Sequence, residues 1–403
     1  MNKSIGGIIK LNRIQKNLSL KAFNHIEGMS EPLLSRVERG NEKISQEKIA
    51  SIFHYMEIEV IGEDIDDEFE KEFLQFYHDV VYMLDYEASY EVLLSYSDVI
   101  QSTCSYIKYL LALMIHNVVI GDYSDITQYQ CIEEYFDYLE DYQRQIYCDN
   151  MGVLYKENYN KEKAIDYYEK ALTYKGIELS KGMVNYHYSI GLSYNGEIYK
   201  AIEVAMIAKD IFAKTVNLKR LSVISFQIAS IYSNCGRYQE AEDLFRYCIS
   251  AVKLLNMNKQ LESIYNDLFW HYLKSKQYLK ILEQKDEILL YHPKECIYFY
   301  VAFAYHKMGN EEKSIEYICY ANDKIDKYTQ PVTKVLIQSF YIYLTSNSAN
   351  KIEKALLHAY GKAKQSNDIE SIVFVKEQLI DFYKETNQIE KYYQCLENLL
   401  KIK

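Results

Sequence analysis

Punctuation is what this chain lacks most: three prolines and fourteen glycines interrupt 403 residues. With so few breakers, long intervals filled by Leu, Ile, Lys, Glu and Ala favour helix almost throughout. Paired cysteines are missing too. The eight cysteines, at 104, 131, 148, 235, 248, 296, 319 and 395, show no C-x-x-C spacing, which argues against a zinc or dithiol centre and for reduced, packing thiols. No apolar run reaches the ~20 residues that span a bilayer; the longest, YLLALMIHNVVI at 109–120, contains His116 and Asn117 and reads as a buried helix. The opening MNKSIGGIIKLNR has no apolar signal-peptide core, so a cytoplasmic location away from membranes is expected. Glycine-rich phosphate loops, H-E-x-x-H and G-x-S-x-G are absent, the histidines are scattered, and acid pairs such as Asp66-Asp67 and Glu133-Glu134 lie in helical charge runs. The expectation is no catalytic centre, no metal site and no cofactor.

What is present in excess is tyrosine, 42 residues against 15 phenylalanines and one tryptophan. A tyrosine buries a ring while keeping its hydroxyl wet, which suits many thin helical layers with half-exposed seams; a compositional habit of the source genome explains the count equally well. Net charge is −11, unevenly placed. Residues 1–60 hold nine Lys or Arg against seven Asp or Glu, so the first sixty residues are +2 and the remainder −13. Only the head suits a polyanion.

The head breaks into short helices. Ile5, Ile8, Ile9 and Leu11 begin the first; Ser19 is placed to cap a second with Leu20, Phe23 and Ile26 on one face. Gly28 ends it, Ser30 caps a third with Pro32 in its first turn and Leu34 and Val37 inward, and Gly40 stops that one. Ser45 then caps a fourth carrying Ile49, Ile52, Phe53 and Met56. Two short helices joined around Gly28-Met29-Ser30 form a helix-turn-helix, whose second helix can enter the major groove.

Through IGGIIKLNR, NLSLKAF and LLSRVERG, with Ser35, Arg36, Glu38, Arg39 and Gly40 in an S-R-x-E-x-G pattern, the head resembles the Cro/repressor-like (XRE) DNA-binding family. That resemblance implies that Arg13 pairs with Glu38 in a structural role. The head departs from the family where Leu20 replaces a DNA-touching glutamine, Asn24 an alanine, Asn12 an apolar residue, and Glu31-Pro32 small polar residues at the tip of the recognition helix. The candidate DNA contacts are Lys21, Ser30, Glu31, Leu33, Arg36, Arg39 and Lys43. Each has a plainer alternative: helix capping for Ser30, surface ion pairing for Arg36 and Arg39, solvation or phosphate positioning for Lys21 and Lys43, core or dimer contact for Leu33. A carboxylate at Glu31 repels phosphate but can accept from cytosine N4.

Phe69, Phe73, Phe76, Val80 and Leu84 recur at helical spacing behind an acidic front, predicting an amphipathic connector helix whose apolar face packs on the body or on a second chain. From about residue 145 the chain resembles itself. Gly152, Tyr155, Ala164, Tyr168 and Ala171 match Ala229, Tyr232, Ala241, Phe245 and Cys248, and again Ala302, Tyr305, Ser314, Ile318 and Ala321, with turn glycines at Gly236 and Gly309. Weaker copies run through Ser189, Leu192, Ala201, Ala205 and Ala208, and through Phe269, Tyr272, Ile281 and Ile288. The period is that of tetratricopeptide helix pairs, with 65–145 and 325–400 as less regular pairs.

The fold expected is therefore all-α: a helix-turn-helix domain at 1–62, a connector at 63–86, and a tetratricopeptide-like α-solenoid at 87–403. First helices of such units face a groove, which would present Asn150, His187, Gln227, Asn234, Asn266, Asp267, Trp270 and Tyr300 to an extended peptide; ordinary solvated side chains are the alternative. The whole architecture resembles the peptide-pheromone receptors of Gram-positive bacteria, the Rgg/PlcR/NprR-like (RRNPP) group. The resemblance implies a homodimeric, non-enzymatic transcription regulator that binds a palindromic DNA operator and a short signalling peptide. The competing expectation is a Rap-like or scaffold protein whose repeats hold a protein partner while the head reads no DNA.

Overall fold

A computed structural model describes residues 2–60, 65–124, 126–291, 293–366 and 368–400; the expected boundary between head and connector, at 62/63, lies outside them. The described residues are helical with no strand, and they form two compact units, Met1–Ile231 and Tyr232–Lys403.

In the first unit, α1 (Asn2–Gln15), a single 3-10 turn (Leu20–Phe23), α2 (Glu31–Glu38) and α3 (Gln46–Tyr55) make up the head. Its core is Ile8, Ile9, Leu11, Phe23, Leu34, Val37, Ile49, Ile52, Phe53 and Met56, all buried. Gly6 is the closest approach of α1 to α2: a Cβ there would lie 2.0 Å from the Val37 carbonyl oxygen. The helix expected after Ser19 is only that one turn. Ser19 makes no side-chain cap bond, and His25 Nδ1 donates to the Ala22 carbonyl at 2.8 Å, diverting an acceptor that a longer helix would use. Leu20 and Ile26 are consequently half-buried rather than core.

After the head come α4 (Ile65–Val81), α5 (Glu87–Ser95), a short turn (Ile100–Ser102), α6 (Tyr106–Ile120), α7 (Thr127–Gln130) and a 3-10 stretch (Cys131–Tyr138). The connector helix packs on its own chain: Phe69, Phe73 and Phe76 of α4 are fully buried against α5 and α6. Leu84, expected on the same face, is exposed because the helix has already ended, Met83 being left-handed. In α6 Ile107, Leu110, Leu111, Ala112, Met114 and Ile115 are buried, while Val119 and Ile120 emerge into solvent.

Helix pairs follow: α8 (Asp141–Glu157) with α9 (Lys161–Leu172), α10 (Glu178–Tyr194) with α11 (Ile198–Lys214), and then α12 (Leu218–Asn234), inside which the first unit ends. The second unit continues with α13 (Tyr238–Leu254), α14 (Asn258–Lys274), α15 (Tyr278–Leu289), α16 (Glu295–Lys307), α17 (Glu311–Asp323), α18 (Pro331–Thr345), α19 (Ala349–Gln365), α20 (Ile369–Glu385) and α21 (Ile389–Leu400). The small and aromatic repeat positions are where packing is tightest. Tyr168 of α9 lies between Gly152 and Gly191, and a Cβ on Gly152 would sit 2.4 Å from its ring. Ala164, Ala201, Ala241, Ile281 and Ser314, equivalent positions in five pairs, are all buried to 1% or less.

Six of the turns within pairs share one device, the α18–α19 turn being the exception. Tyr159, Gly196, Gly236, Lys276, Gly309 and Asn387 are left-handed at the same place, and the next amide donates back across the turn, as Asn160 does to Tyr155 and Gln277 to Tyr272. This is the Schellman closure. Glycine is favoured there but not required, so the turns at Tyr159 and Lys276 carry no sequence mark.

Candidate functional site

The face of α2 is built from behind. Arg13 of α1 grips Glu38 of α2 bidentately, Nε to Oε1 at 2.6 Å and Nη2 to Oε2 at 2.9 Å, both side chains nearly buried. Arg13 also donates to the Leu18 carbonyl, and Lys48 Nζ to that of Gly28, fixing the chain on either side of the turn. With Glu38 held inward, the opposite face points to solvent. Lys21, Ser30, Glu31, Arg36, Arg39 and Lys43 are exposed and Leu33 is half-buried. Ser30 is the N-cap residue but its hydroxyl makes no cap bond, which corrects the capping role expected of it. Arg36 pairs with Glu42 at 3.3 Å, both about half exposed, an interaction weak enough to exchange for a phosphate. Arg39 folds back on Ser35, Nε to its carbonyl at 3.0 Å.

Asn12 is the head's second tie. Buried to 1% exposure, its amide donates to Ile8 O at 3.0 Å and to Gln101 O at 2.8 Å. Tyr106 donates to Gln15 Oε1 at 2.6 Å. These bonds seat α1 on the segment around 100–106, and the departure from an apolar residue at this position thereby has a structural cause.

The peptide candidates in the first unit occupy different environments. Asn150 is buried with its amide on Ile146 O at 2.8 Å, so it does not present itself to a groove: a helix-facing amide at the packed seam is the physical reason. His187 is mostly buried and bonds Asp149 at 2.9 Å through Nδ1, while Gln227 is half-buried. Nearby Arg220 ties the α11–α12 turn to the end of α4, donating from Nε to Val81 O at 2.9 Å and from Nη2 to Val80 O at 3.1 Å; Asn217 adds a bond to Val81 O and Lys219 one to Met83 O. A cation on the last carbonyls of a helix is favourable, even though burial pulls the Arg220 guanidinium down from its usual pKa. Sequence reasoning missed this clamp; the one available signal was that Arg220 is one of four arginines beyond residue 60.

In the second unit, five candidates do converge, but on a filled space. Trp270 and Tyr300 join Phe299, Phe303, Phe340 and Phe374 in an aromatic cluster, Trp270 lying 5.2 Å from Phe374 and Phe303 5.0 Å from it between ring centroids. Its rim is polar. Glu370 of α20 accepts from Trp270 Nε1 at 2.8 Å and Lys274 Nζ at 2.7 Å, and Lys274 also reaches Asn234 Oδ1 at 2.9 Å. Asn266 donates to Asp267 and accepts from Tyr300. Tyr300 is buried, and burial pushes its hydroxyl well above the usual value. Trp270 and Tyr300 are thus packing residues against α20, which was not visible from periodicity because α14 and α20 are 96 residues or more apart at their contacts.

Residues 147–176 and 226–255 match tetratricopeptide repeat families. The transcriptional activator NprA of Geobacillus stearothermophilus is 21% identical over 388 residues, 91% of this chain and 90% of NprA. A crystal structure of a Rap protein complexed with competence and sporulation factor superposes with TM-score 0.68 at 14% identity, covering 84% of this chain and 98% of that one. The apo form of the quorum sensor NprR from B. thuringiensis does so with TM-score 0.64, also at 14% identity, covering 84% and 99%. The chain shares the fold of the Rap and NprR structures and carries tetratricopeptide repeats at 147–176 and 226–255. The resemblance drawn from sequence, to peptide-receptor regulators containing such repeats, is supported by these relatives. Among the described residues no cluster of His, Cys, Asp or Glu could hold a metal ion, and no helix is long and apolar enough to cross a membrane.

Proposed function

We propose that the chain is a cytoplasmic transcription regulator. Its head, residues 1–62, binds double-stranded DNA, and its repeats, 87–403, bind a short signalling peptide and a second copy of the chain. The observation that carries the reading is the exposed α2 face: Ser30, Glu31, Arg36 and Arg39, flanked by Lys21 and Lys43, displayed on a helix braced by Arg13–Glu38. Similarity to NprA, named a transcriptional activator, extends over nine-tenths of both chains and so supports a regulator. Two heads in a dimer would meet half-sites one helical turn apart on a palindrome, and a peptide that alters the repeats would alter that spacing. Each unit taken by itself keeps polar candidates for a peptide backbone: His187 and Gln227 in the first, and Asn234, Asn266 and Asp267 in the second.

A Rap-like reading, in which the repeats hold a protein partner and the head reads no DNA, is favoured by the docked head, through Asn12 and Gln101, and by the Rap likeness. A gel shift on the DNA upstream of the chain's own gene separates the two. The regulator reading expects a retarded complex that Arg36→Ala with Arg39→Ala abolishes while helicity is unchanged; no complex, or one indifferent to both arginines, supports the second reading.

A further inference from the structure

The helical hairpin α18–α19 differs in charge from the rest of the chain. Residues 330–364 contain five lysines (334, 351, 354, 362 and 364) and one carboxylate, Glu353, within a protein of net charge −11. Glu353 is turned away, accepting from Tyr383 at 2.9 Å and from Lys391 at 2.6 Å. Three lysines elsewhere in this unit are engaged by carboxylates, Lys274 by Glu370, Lys280 by Glu242 and Lys307 by Asp381. The side chains of Lys351 and Lys354 are exposed and have no partner among the described residues.

Between the two helices runs an open cleft of about 670 Å³, a size typical of small-ligand sites. Val335, Ser339 and Ile342 line it from α18, Lys351, Ala355 and His358 from α19, with Lys354 alongside. The stripe on each helix follows the three- and four-residue spacing of one face; between Val335 and Thr345 it runs for about 15 Å at the helical rise. In antiparallel helices joined after Thr345, the lysine pair therefore lies at the turn end and the apolar residues along the length. No carboxylate lines the cleft.

We propose that this cleft binds a small organic anion: a phosphate or carboxylate held by Lys351 and Lys354, on an apolar body that lies along Ile342 and Ala355. Two unpaired ammonium groups supply charge and several donors without a protein carboxylate to compete, and the apolar residues select against inorganic ions. The site is separate from the α2 face, and its occupant is not DNA.

Calorimetry on the full chain with 1-naphthyl phosphate, 1-naphthoate, uncharged 1-naphthol and inorganic phosphate tests this. Either naphthyl anion is expected to bind at least about tenfold more tightly than naphthol and than inorganic phosphate, and K351Q/K354Q to remove that advantage with thermal stability unchanged. The tighter of the two anions assigns the head group as phosphate or carboxylate. Naphthyl anions that bind no better than naphthol, or equally well to the double variant, would overturn the proposal. An Ile342→Asp variant gives a second reading: it should weaken both anions, and undiminished binding also counts against the site.

Discussion

Single residues decide more of this molecule than its repetitive sequence suggests. Glu38 and Arg13 form a bidentate pair at 5% and 12% exposure, and removing one member of such a pair strands the other. Glu38→Ala is expected to destabilise the head by about 3–5 kcal/mol, read as early loss of amide protection in α1 and α2 by hydrogen exchange. The tyrosine excess also has its account at this scale. Tyr188 donates to Glu169 at 2.6 Å, Tyr265 to Glu287 at 2.7 Å, Tyr343 to Glu385 at 2.8 Å and Tyr383 to Glu353 at 2.9 Å: rings fill the seams while hydroxyls fix glutamates across them. The bond from Tyr188, with help from Lys200, holds Glu169 below the usual carboxylate value. Buried His271 behaves oppositely. Burial, reinforced by Lys274, pushes it down to about 4, and burial lowers His306 and His116 as well. A histidine whose folded pKa is depressed binds fewer protons folded than unfolded, so its stabilising effect is present above about 6.5 and is lost as pH falls towards 4. Chemical denaturation should show stability falling across that window by on the order of 3 kcal/mol for His271 alone, and His271→Phe should flatten the fall.

At the scale of elements, Asn12 joins α1 to the segment around Gln101 with a buried amide. Asn12→Leu would leave the Gln101 carbonyl without that partner and should raise hydrogen exchange at 98–106 while the head's own core, built on Leu34, Phe53 and Ile52, keeps its protection. Which elements were legible follows from the range of their causes. Repeat positions such as Gly152, Ala164 and Tyr168 were readable because small residues and aromatics recur locally where helices touch. The turn at Gly28, the stop at Gly40 and the Arg13–Glu38 pair followed from short-range marks and a motif. The helix after Ser19 was misread because periodicity ignores side chains such as His25 that compete for backbone acceptors. Asn150 turns its amide onto Ile146 of its own helix, which residue type alone does not show, while Trp270 and Tyr300 pack on neighbours distant in sequence, Trp270 meeting Phe374 and Glu370 of α20. The Arg220 clamp on α4 was hidden for the same reason, since its partners are 139 and 140 positions away.

For the whole molecule, charge sets the terms of any encounter with DNA. A body that carries a net −13 leaves the head as the region with net positive charge to meet duplex phosphates, and Glu31 on its tip opposes nonspecific contact. Fluorescence anisotropy of a duplex from the chain's own upstream region, titrated with protein at two salt concentrations, tests the regulator most directly. The account predicts saturable binding that weakens steeply as salt rises, with a slope near −0.9 per phosphate neutralised, and a slope shallower by about one for each cation removed from Arg36 and Arg39. Binding that is absent, or that does not change with salt, would contradict it.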